Sequence, residues 1–519
     1  MNKSSVAKSI SYVMIIMILS RLLSLVSNQI YLAHFGASGV KINIYSYAIS
    51  VPNIIFNCFG TALATVVIPI YAGHIAQGNH KEARRFADNI ITISTILTLI
   101  LVLAGMALAL VLPRFTSFGN DPETYAYTTK ALMIMMPVML FYGLNYIFQG
   151  MLQSIGKYGW PAFVSVPSSL IVIFYVLFFA DKFGVDGLFV ATFIGLSMQA
   201  IILIFPLLAS GYRYRPYVDF KDPDIITAGK MTGAVLLGVS AYQLNMFYNV
   251  TMISNFEGMV TLLTYAQNIT VYMVLAFVYS ITAVVYPKLT SFAATGDMEG
   301  YKSTLTGITK TIVTLLLPVT FGFIAVRFRL LDVIAKWGQI TDGEIQSAAK
   351  LLSMYSVGIV AIGIKEVYDR AFYAVKNTIL PAVNGFIIMA VNIGLSLILI
   401  KFMGAYGIPL SYSVSSIVGA CVLIVLLRRK IGKFGGNMLV HCIKCVVAAL
   451  LMFCAVTLLD PVYASYFAAD TIIMRIIRLL LPFATGVIVY AIAGYILKID
   501  LICDTADKIL RRNKIEESN

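Results

Sequence analysis

Charge is what this chain has least of. Asp, Glu, Lys and Arg make up only 12% of its 519 residues, where a soluble domain carries about 25%. The mean hydropathy is +0.87, and the shortage of charge runs the whole length. The longest interval between apolar runs, 209–230, is shorter than the ~50 residues of a small soluble domain. These absences exclude a soluble enzyme or binding module, and place whatever the chain does inside a bilayer. Cysteine is sparse as well. Cys58, Cys421, Cys442, Cys445 and Cys454 lie in apolar runs and only Cys503 outside them, so they read as small apolar residues and not as a disulfide scaffold. His441 with Cys442 and Cys445 has a metal-like spacing but no second cluster to complete four ligands, so no metal is expected. The other histidines, His34, His74 and His80, are scattered and give no catalytic triad.

What is present is a succession of apolar runs. A spanning helix needs roughly 20 mostly apolar residues. Fourteen such runs occur: Ser9–Ala33, Ile42–Tyr71, Asn89–Leu112, Ala131–Ile155, Pro161–Ala180, Val185–Leu208, Met231–Ser254, Met259–Leu289, Ile308–Val326, Ala348–Val375, Thr378–Met403, Ile408–Leu427, Met438–Leu459 and Ile473–Leu497. The expected fold class is an all-α polytopic membrane protein with about fourteen transmembrane helices. Met1-Asn2-Lys3 leads into the first run without a small-residue cleavage pattern, so that run is expected to be an uncleaved span. Most of the 38 Lys and Arg fall in alternate loops on the side of both tails, among them Arg84, Arg85, Arg213, Arg215 and Arg428. The positive-inside rule therefore places both termini in the cytoplasm. The net charge of +14 calls for no nucleic-acid partner, because anionic lipid headgroups face the same surface.

The chain also repeats itself at a nearly constant offset. Tyr47-Ala48 falls on Tyr265-Ala266, Val66-Val67-Ile68-Pro69 on Val284-Val285-Tyr286-Pro287, and Gly78 on Gly296. Further along, Gly143 meets Gly363, Pro161-Ala162 meets Pro381-Ala382, and Gly187 meets Gly407. Each repeat holds six spans, an even number, so the two are parallel lobes related by an axis along the membrane normal. The expected organisation is an N-lobe at 1–210, a C-lobe at 211–430, and a C-terminal helix pair with a cytoplasmic tail at 431–519.

Polar residues inside the spans mark the candidate site. Asn43, Ser46, Ser50, Asn53, Asn57 and Thr61 share one face of the second span. Such a face is costly in lipid unless it meets protein or water; small polar residues also join helices, but a stripe of six favours a cavity lining. The first span carries Ser20, Arg21, Ser24, Ser27 and Asn28 as a second stripe. A guanidinium at mid-depth costs at least ~2.5 kcal/mol and cannot deprotonate. The first two spans contain no Asp or Glu, so the partner of Arg21 is another helix, water or an anionic ligand. Phosphate fits the planar guanidinium fork. In the second half Gln243, Asn245, Asn249, Thr264, Gln267 and Asn268 are polar but uncharged. Lys365, Glu366, Asp369 and Arg370 form two pairs at i, i+4, either a solvated helix end or a candidate cytoplasmic gate. Asp222-Pro223-Asp224 and Asp121-Pro122-Glu123 resemble paired catalytic acids but read as turn chemistry.

Ser20-Arg21-Leu22-Leu23, Phe35-Gly36-Ala37, Pro52-Asn53, Val67-Ile68-Pro69, Trp337-Gly338-Gln339-Ile340-Thr341 and Phe372-Tyr373-Ala374-Val375-Lys376-Asn377-Thr378 with Pro381 resemble the MviN/MurJ family of lipid II flippases, within the multidrug/oligosaccharidyl-lipid/polysaccharide exporter superfamily. The resemblance covers essentially the whole chain. It implies a bacterial cytoplasmic-membrane transporter, not an enzyme, that moves a polyprenyl-diphosphate-linked peptidoglycan precursor outward by alternating access. The headgroup would cross through a cationic central cavity lined by Arg21, Ser24, Asn28, Asn43, Asn53, Asn57, Gln267 and Asn268. The tail would lie in a groove formed by the last two spans. No cofactor is implied; the driving force would be the membrane potential or a coupling ion, H+ or Na+. Apart from the resemblance, Asn384 and Asn392 in the eleventh span could ligate sodium. Partners would be the glycan lipid, the bilayer and other cell-wall synthesis proteins.

The chain departs from the family where relatives place further charges. Ser27 stands where they have a second arginine, Asn43 where they have an aspartate, Phe56-Asn57 near a basic position and Asn268 at an arginine. Arg21 is the one clear cation the pattern retains, which leaves another polyprenyl-linked glycan as an alternative substrate. A cation-coupled drug exporter would need buried carboxylates and twelve spans. A membrane glycosyltransferase would need Asp222 or Asp121.

Overall fold

The structure, a computed structural model, describes residues 3–507 except 337, 376 and 467–470. The side chains of residues 3–15 and of some later helical positions, Thr61 among them, lie outside that description, as do Trp337 and Lys376 of the motifs above. In chain order the helices are α1 (Lys3–Phe35), α2 (Val40–Ala76), α3 (His80–Ala109), α4 (Pro122–Met135), α5 (Val138–Ser154), α6 (Gly159–Phe163), α7 (Ser165–Phe178), α8 (Ala180–Ala209) and α9 (Pro223–Ile253). They continue with α10 (Met259–Gln267), α11 (Met273–Thr295), α12 (Met298–Ile334), α13 (Asp342–Ser356), α14 (Ile359–Ala374), α15 (Ile379–Met403), α16 (Gly407–Ile431), α17 (Met438–Tyr466) and α18 (Ile472–Ile496). No strand occurs among the described residues, and the chain is an all-α polytopic membrane protein.

Each expected span falls on one helix or on a pair interrupted along its length. Among the described residues nine stretches are long and apolar enough to cross a bilayer, and one of them, 379–431, contains both α15 and α16. The bent pair α13–α14, with 43° between its arms, makes a tenth. The interruptions have local causes. Pro137 sits between α4 and α5, where it removes the N–H that would continue the ladder. Between α10 and α11, residues Asn268–Tyr272 form a π-helical turn, a one-residue bulge often found where a helix serves a function.

The sequence repeat recurs in backbone conformation. Gly78 after α2 and Gly296 after α11 both take a left-handed φ, +74° and +75°. In the first case Asn79 N–H reaches back to His74 O and Gly78 N–H to Ile75 O, closing the helix as a glycine stop does. Gly184 and Gly404 match as well, with φ, ψ of 57°, −148° and 58°, −137°. Side-chain-bearing residues rarely take these conformations, so each pair marks the same turn in both repeats.

The chain forms two compact units, Met1–Thr261 with Trp337–Ile340, and Leu262–Lys336 with Thr341–Asn519. In the first, α9 packs along α2, so compactness groups α9 with the helices before it. Lipid tails are as apolar as leucine, so burial alone does not hold helices together here; close packing and interhelical hydrogen bonds do. In the first unit Val67, Phe86, Ile147, Met151 and Leu203 are buried together, and Tyr45 Oη meets Thr192 Oγ1 at 2.7 Å. In the second, Tyr301, Leu316, Phe372 and Leu423 are buried together, and Tyr301 Oη donates to Ala371 O at 2.7 Å.

The 211–222 segment is fastened to the start of α3. Tyr212 Oη and Arg215 N–H both donate to Asp88 Oδ1, at 2.6 and 3.2 Å. Asn89, fully buried, donates to Asp219 O and accepts from Asp219 N–H, both at 2.9 Å. Arg85 pairs with Asp219 at 3.2 Å and Asp222 at 3.4 Å. Asn89→Ala would remove both hydrogen bonds to the main chain of half-buried Asp219, at about 0.5–1.5 kcal/mol each. We expect faster amide exchange across 212–220 and a lower melting temperature in detergent; unchanged exchange would show that the segment is held by other means.

Candidate functional site

The serines of α1 seat that helix on its neighbours in the first unit. Ser20, buried, donates to Ala162 O at 3.0 Å. Ser24 Oγ lies 3.1 Å from Ser169 Oγ and also donates to Ser20 O, and Ser27 is buried. Helical geometry turns Arg21 about 100° from Ser20, away from this seam, and brings Asn28 to the same face as Arg21. Arg21 is exposed and Asn28 half-buried. Among the described residues no carboxylate lies within ion-pair distance of Arg21. Leu19, Leu22 and Val26, about half exposed, form the face beyond.

On α2 the polar stripe divides by depth. Asn43, 1% exposed, donates to Ala37 O and Gly39 O, both at 2.9 Å, and accepts from Thr261 N–H at 3.1 Å. Its amide holds the turn before α2 and the start of α10. Ser46 Oγ meets Thr261 Oγ1 at 2.8 Å, and Ser50 Oγ returns to Ser46 O. Farther along, Asn57 donates to Asn53 Oδ1 at 2.6 Å, Tyr146 Oη donates to Asn57 Oδ1 at 2.9 Å, and Asn53 donates to Tyr142 Oη at 3.4 Å. Phe56 stacks on Tyr146. Tyr142 and Tyr146 of α5 are thus part of this polar ladder. Nothing in the local sequence marks them, because both look like lipid-interface aromatics until α5 is placed beside α2.

In the second unit Gln267 is buried, and Asn268, half-buried, opens the π turn. The four charges of α14 form their two pairs, Lys365–Asp369 at 2.7 Å and Glu366–Arg370 at 3.1 Å. This is no solvated helix end. Asp369 is 7% exposed, and its second carboxylate oxygen has no partner among the described residues. Asn384 and Asn392 of α15 are fully buried; Asn392 accepts from Ser411 Oγ at 2.9 Å.

Between α12, α17 and α18 runs an apolar groove of about 1040 Å³, lined by Val319, Val326, Met452, Val456, Phe483 and Val487 among others. Near the end of α12 Arg329 holds Asp460 with two bonds of 3.0 and 3.2 Å, tying α12 to α17. A smaller polar pocket of about 340 Å³ lies there, with Asp332, Lys336 and Arg478 in its wall.

The acids weighed as catalytic are helix caps. Asp121 accepts from Thr124 N–H at the start of α4, which holds its carboxyl below the usual range, and Asp222 accepts from Asp224 N–H at the start of α9. Side-chain oxygens at these positions satisfy main-chain donors that the helix leaves unpaired. His441 lies 3.0 Å from Thr314 Oγ1 and 3.5 Å from Cys445 Sγ, and no group of three potential metal ligands occurs among the described residues.

Apolar helices long enough to span a bilayer, with polar ladders inside them, define a polytopic helical membrane protein. Among solved structures, the chain resembles an inward-facing multidrug-resistance MATE transporter of the MOP superfamily, with TM-score 0.66, 15% identity, and 79% of this chain and 94% of that one covered. It also resembles the inward closed form of lipid II flippase MurJ, with TM-score 0.79, 22% identity and 94% and 99% covered. The family model described as lipid II flippase MurJ matches residues 32–478. Probable lipid II flippases of Rickettsia prowazekii and Buchnera aphidicola are 23% and 24% identical to it, covering 93% and 95% of this chain and 96% and 98% of theirs. The chain belongs to the MurJ family of lipid II flippases. It is accordingly a multi-pass protein of the bacterial inner membrane, and a transporter, not an enzyme. Asp121→Asn and Asp222→Asn should leave flipping undiminished, because asparagine also caps helices. Loss of flipping in either variant, with normal insertion, would revive a catalytic role.

Proposed function

We infer that this protein carries lipid II, a polyprenyl-diphosphate-linked peptidoglycan precursor, from the inner to the outer leaflet. Family membership across residues 32–478 is the observation that carries this reading. Lipid II and the bilayer are its partners; contact with other cell-wall synthesis proteins is a further expectation. The repeated six-span architecture supports alternating access, and the clustering of Lys and Arg in alternate loops supports cytoplasmic termini. The driving force of this reading is a coupling ion or the membrane potential.

The headgroup's diphosphate is the natural partner of Arg21. A guanidinium at this depth, with no carboxylate beside it among the described residues, recovers its lost hydration from water or from a doubly bonded phosphate. Asn28 on the same face and the Asn53–Asn57 ladder would bind the sugars, with Gln267 and Asn268 as further headgroup contacts. Ser24 and Asn43, engaged in helix packing and in a turn, would position these groups and not touch substrate. The tail would occupy the groove of α12, α17 and α18, whose walls match an isoprenoid chain in polarity. The α14 pairs would act as a cytoplasmic gate, since half-buried charges are held only while their partners remain in place.

Arg21→Ala should accumulate inward-facing lipid II in depleted cells and fail to rescue growth at normal expression. Arg21→Lys keeps the charge but loses the fork, and should retain flipping at a rate lowered roughly ten- to a hundredfold, the range that losing about 1.5–3 kcal/mol of charged hydrogen bonding gives. Full rescue by Arg21→Ala would remove the assignment. For the gate, Asp369→Asn should impair flipping, and exchanging the charges (Lys365→Asp with Asp369→Lys) should restore part of it. A harmless Asp369→Asn would show the pairs to be structural.

A further inference from the structure

After α18 the chain does not run straight into the cytoplasm. Lys498 adopts a left-handed φ of +52°, the one non-glycine to do so among the described residues. The reversal is held from several sides. Ile499 N–H reaches back to Gly494 O at 2.9 Å and Lys498 N–H to Tyr495 O at 3.1 Å, while Lys444 Nζ of α17 donates to Lys498 O at 3.2 Å. Ile499 is fully buried against Cys445, Ala448 and Ala449. Gly494 leaves room for Ile502, whose side chain occupies the space a Cβ there would take. The helical segment 500–507 therefore folds back under α12, α17 and α18.

This segment has two unlike faces. Leu501, Ile502, Thr505 and Ala506 line one end of the apolar groove. Asp504 and Asp507 are exposed, and Asp500 makes a 2.8 Å ion pair with Lys310 of α12. That hydrogen bond from Lys310 holds the Asp500 carboxyl below the usual carboxylate range. A stretch at the tail end of a chain, left to itself, frays; this one is tied to both α12 and α17 with its apolar side turned into the cavity.

We propose that segment 500–507 is the floor of the tail groove and sets the length of polyprenyl chain that the groove accepts, with the Lys310–Asp500 pair as its fastening. The proposal rests on the reading of the groove as the tail site. A tail that runs the length of the groove, from Val326 and Leu330 at one end, meets Thr505 and Ala506 at the other. A short tail never reaches them. The floor therefore acts on the far end of a long chain and leaves headgroup binding unaffected.

The test is binding of two probes, a long-chain and a short-chain polyprenyl diphosphate, to the purified full-length protein in nanodiscs. Wild type is expected to bind both. Ala506→Trp, which fills the floor, should weaken the long-chain probe roughly tenfold, about 1.4 kcal/mol, and leave the short-chain probe unchanged, which also shows the variant to be folded. Asp500→Lys, which sets two cations against each other, should free the segment and narrow the difference in affinity between the probes. Unchanged long-chain binding by Ala506→Trp, or equal loss of both probes, would overturn the floor while the tail reading stands. Failure of wild type to bind either probe would overturn the tail reading and the floor with it.

Discussion

In hydrocarbon a polar group must find its partner within the chain, in trapped water or in a ligand, and that constraint sorts the polar residues described inside the spans. Most resolve inward. The serines of α1 bond to α6 and α7, Asn43 clamps the turn before α2, and the asparagines of α2 chain to the tyrosines of α5. The Lys and Asp of α14 bond to each other. Arg21 is a charge in this arrangement with no carboxylate beside it among the described residues. The serine seam fixes the rotation of α1, and that rotation leaves the guanidinium exposed without a carboxylate among the described residues. A permanent charge so placed is the basis of the proposal that Arg21 receives an anion.

The same constraint separates the two ends of the substrate. A diphosphate-sugar headgroup needs donors and water; an isoprenoid tail needs neither. The first unit supplies amides and a guanidinium on helices held rigid by small polar contacts. The second contains an apolar groove between α12 and the two helices that follow the repeat, α17 and α18. A duplicated exporter lobe with an appended helix pair is thus a physical answer to an amphiphilic cargo.

Much of the fold was legible in the sequence because bilayer thickness fixes the length of an apolar run. The breaks were less so. Pro137 could be read as a break, but the π turn at Asn268–Tyr272 carries no proline or glycine to mark it. The candidate site was half legible. Arg21 stood out because a charge in an apolar run is rare, while periodicity grouped Ser24 and Asn43 with it without distinguishing a helix seam or a turn clamp from a cavity wall. Tyr142 and Tyr146 were invisible, since the aromatic residues that bond to α2 look like any others in an apolar helix. The solvated reading of Lys365–Arg370 failed because four charges at a helix end say nothing of how deeply that helix is packed; Asp369 is buried.

The central claim, that Arg21 faces water and not lipid or protein, is tested most directly by substituted-cysteine accessibility. Single cysteines at positions 19, 21, 22 and 28 would be placed in a background without the six native cysteines and treated with a membrane-impermeant thiol reagent in oriented vesicles. The account predicts labelling at 21 and 28, suppressed at 28 by a polyprenyl diphosphate, and none at 19 or 22. Protection at 21 equal to that at its lipid-facing neighbours, with or without the lipid, would contradict it.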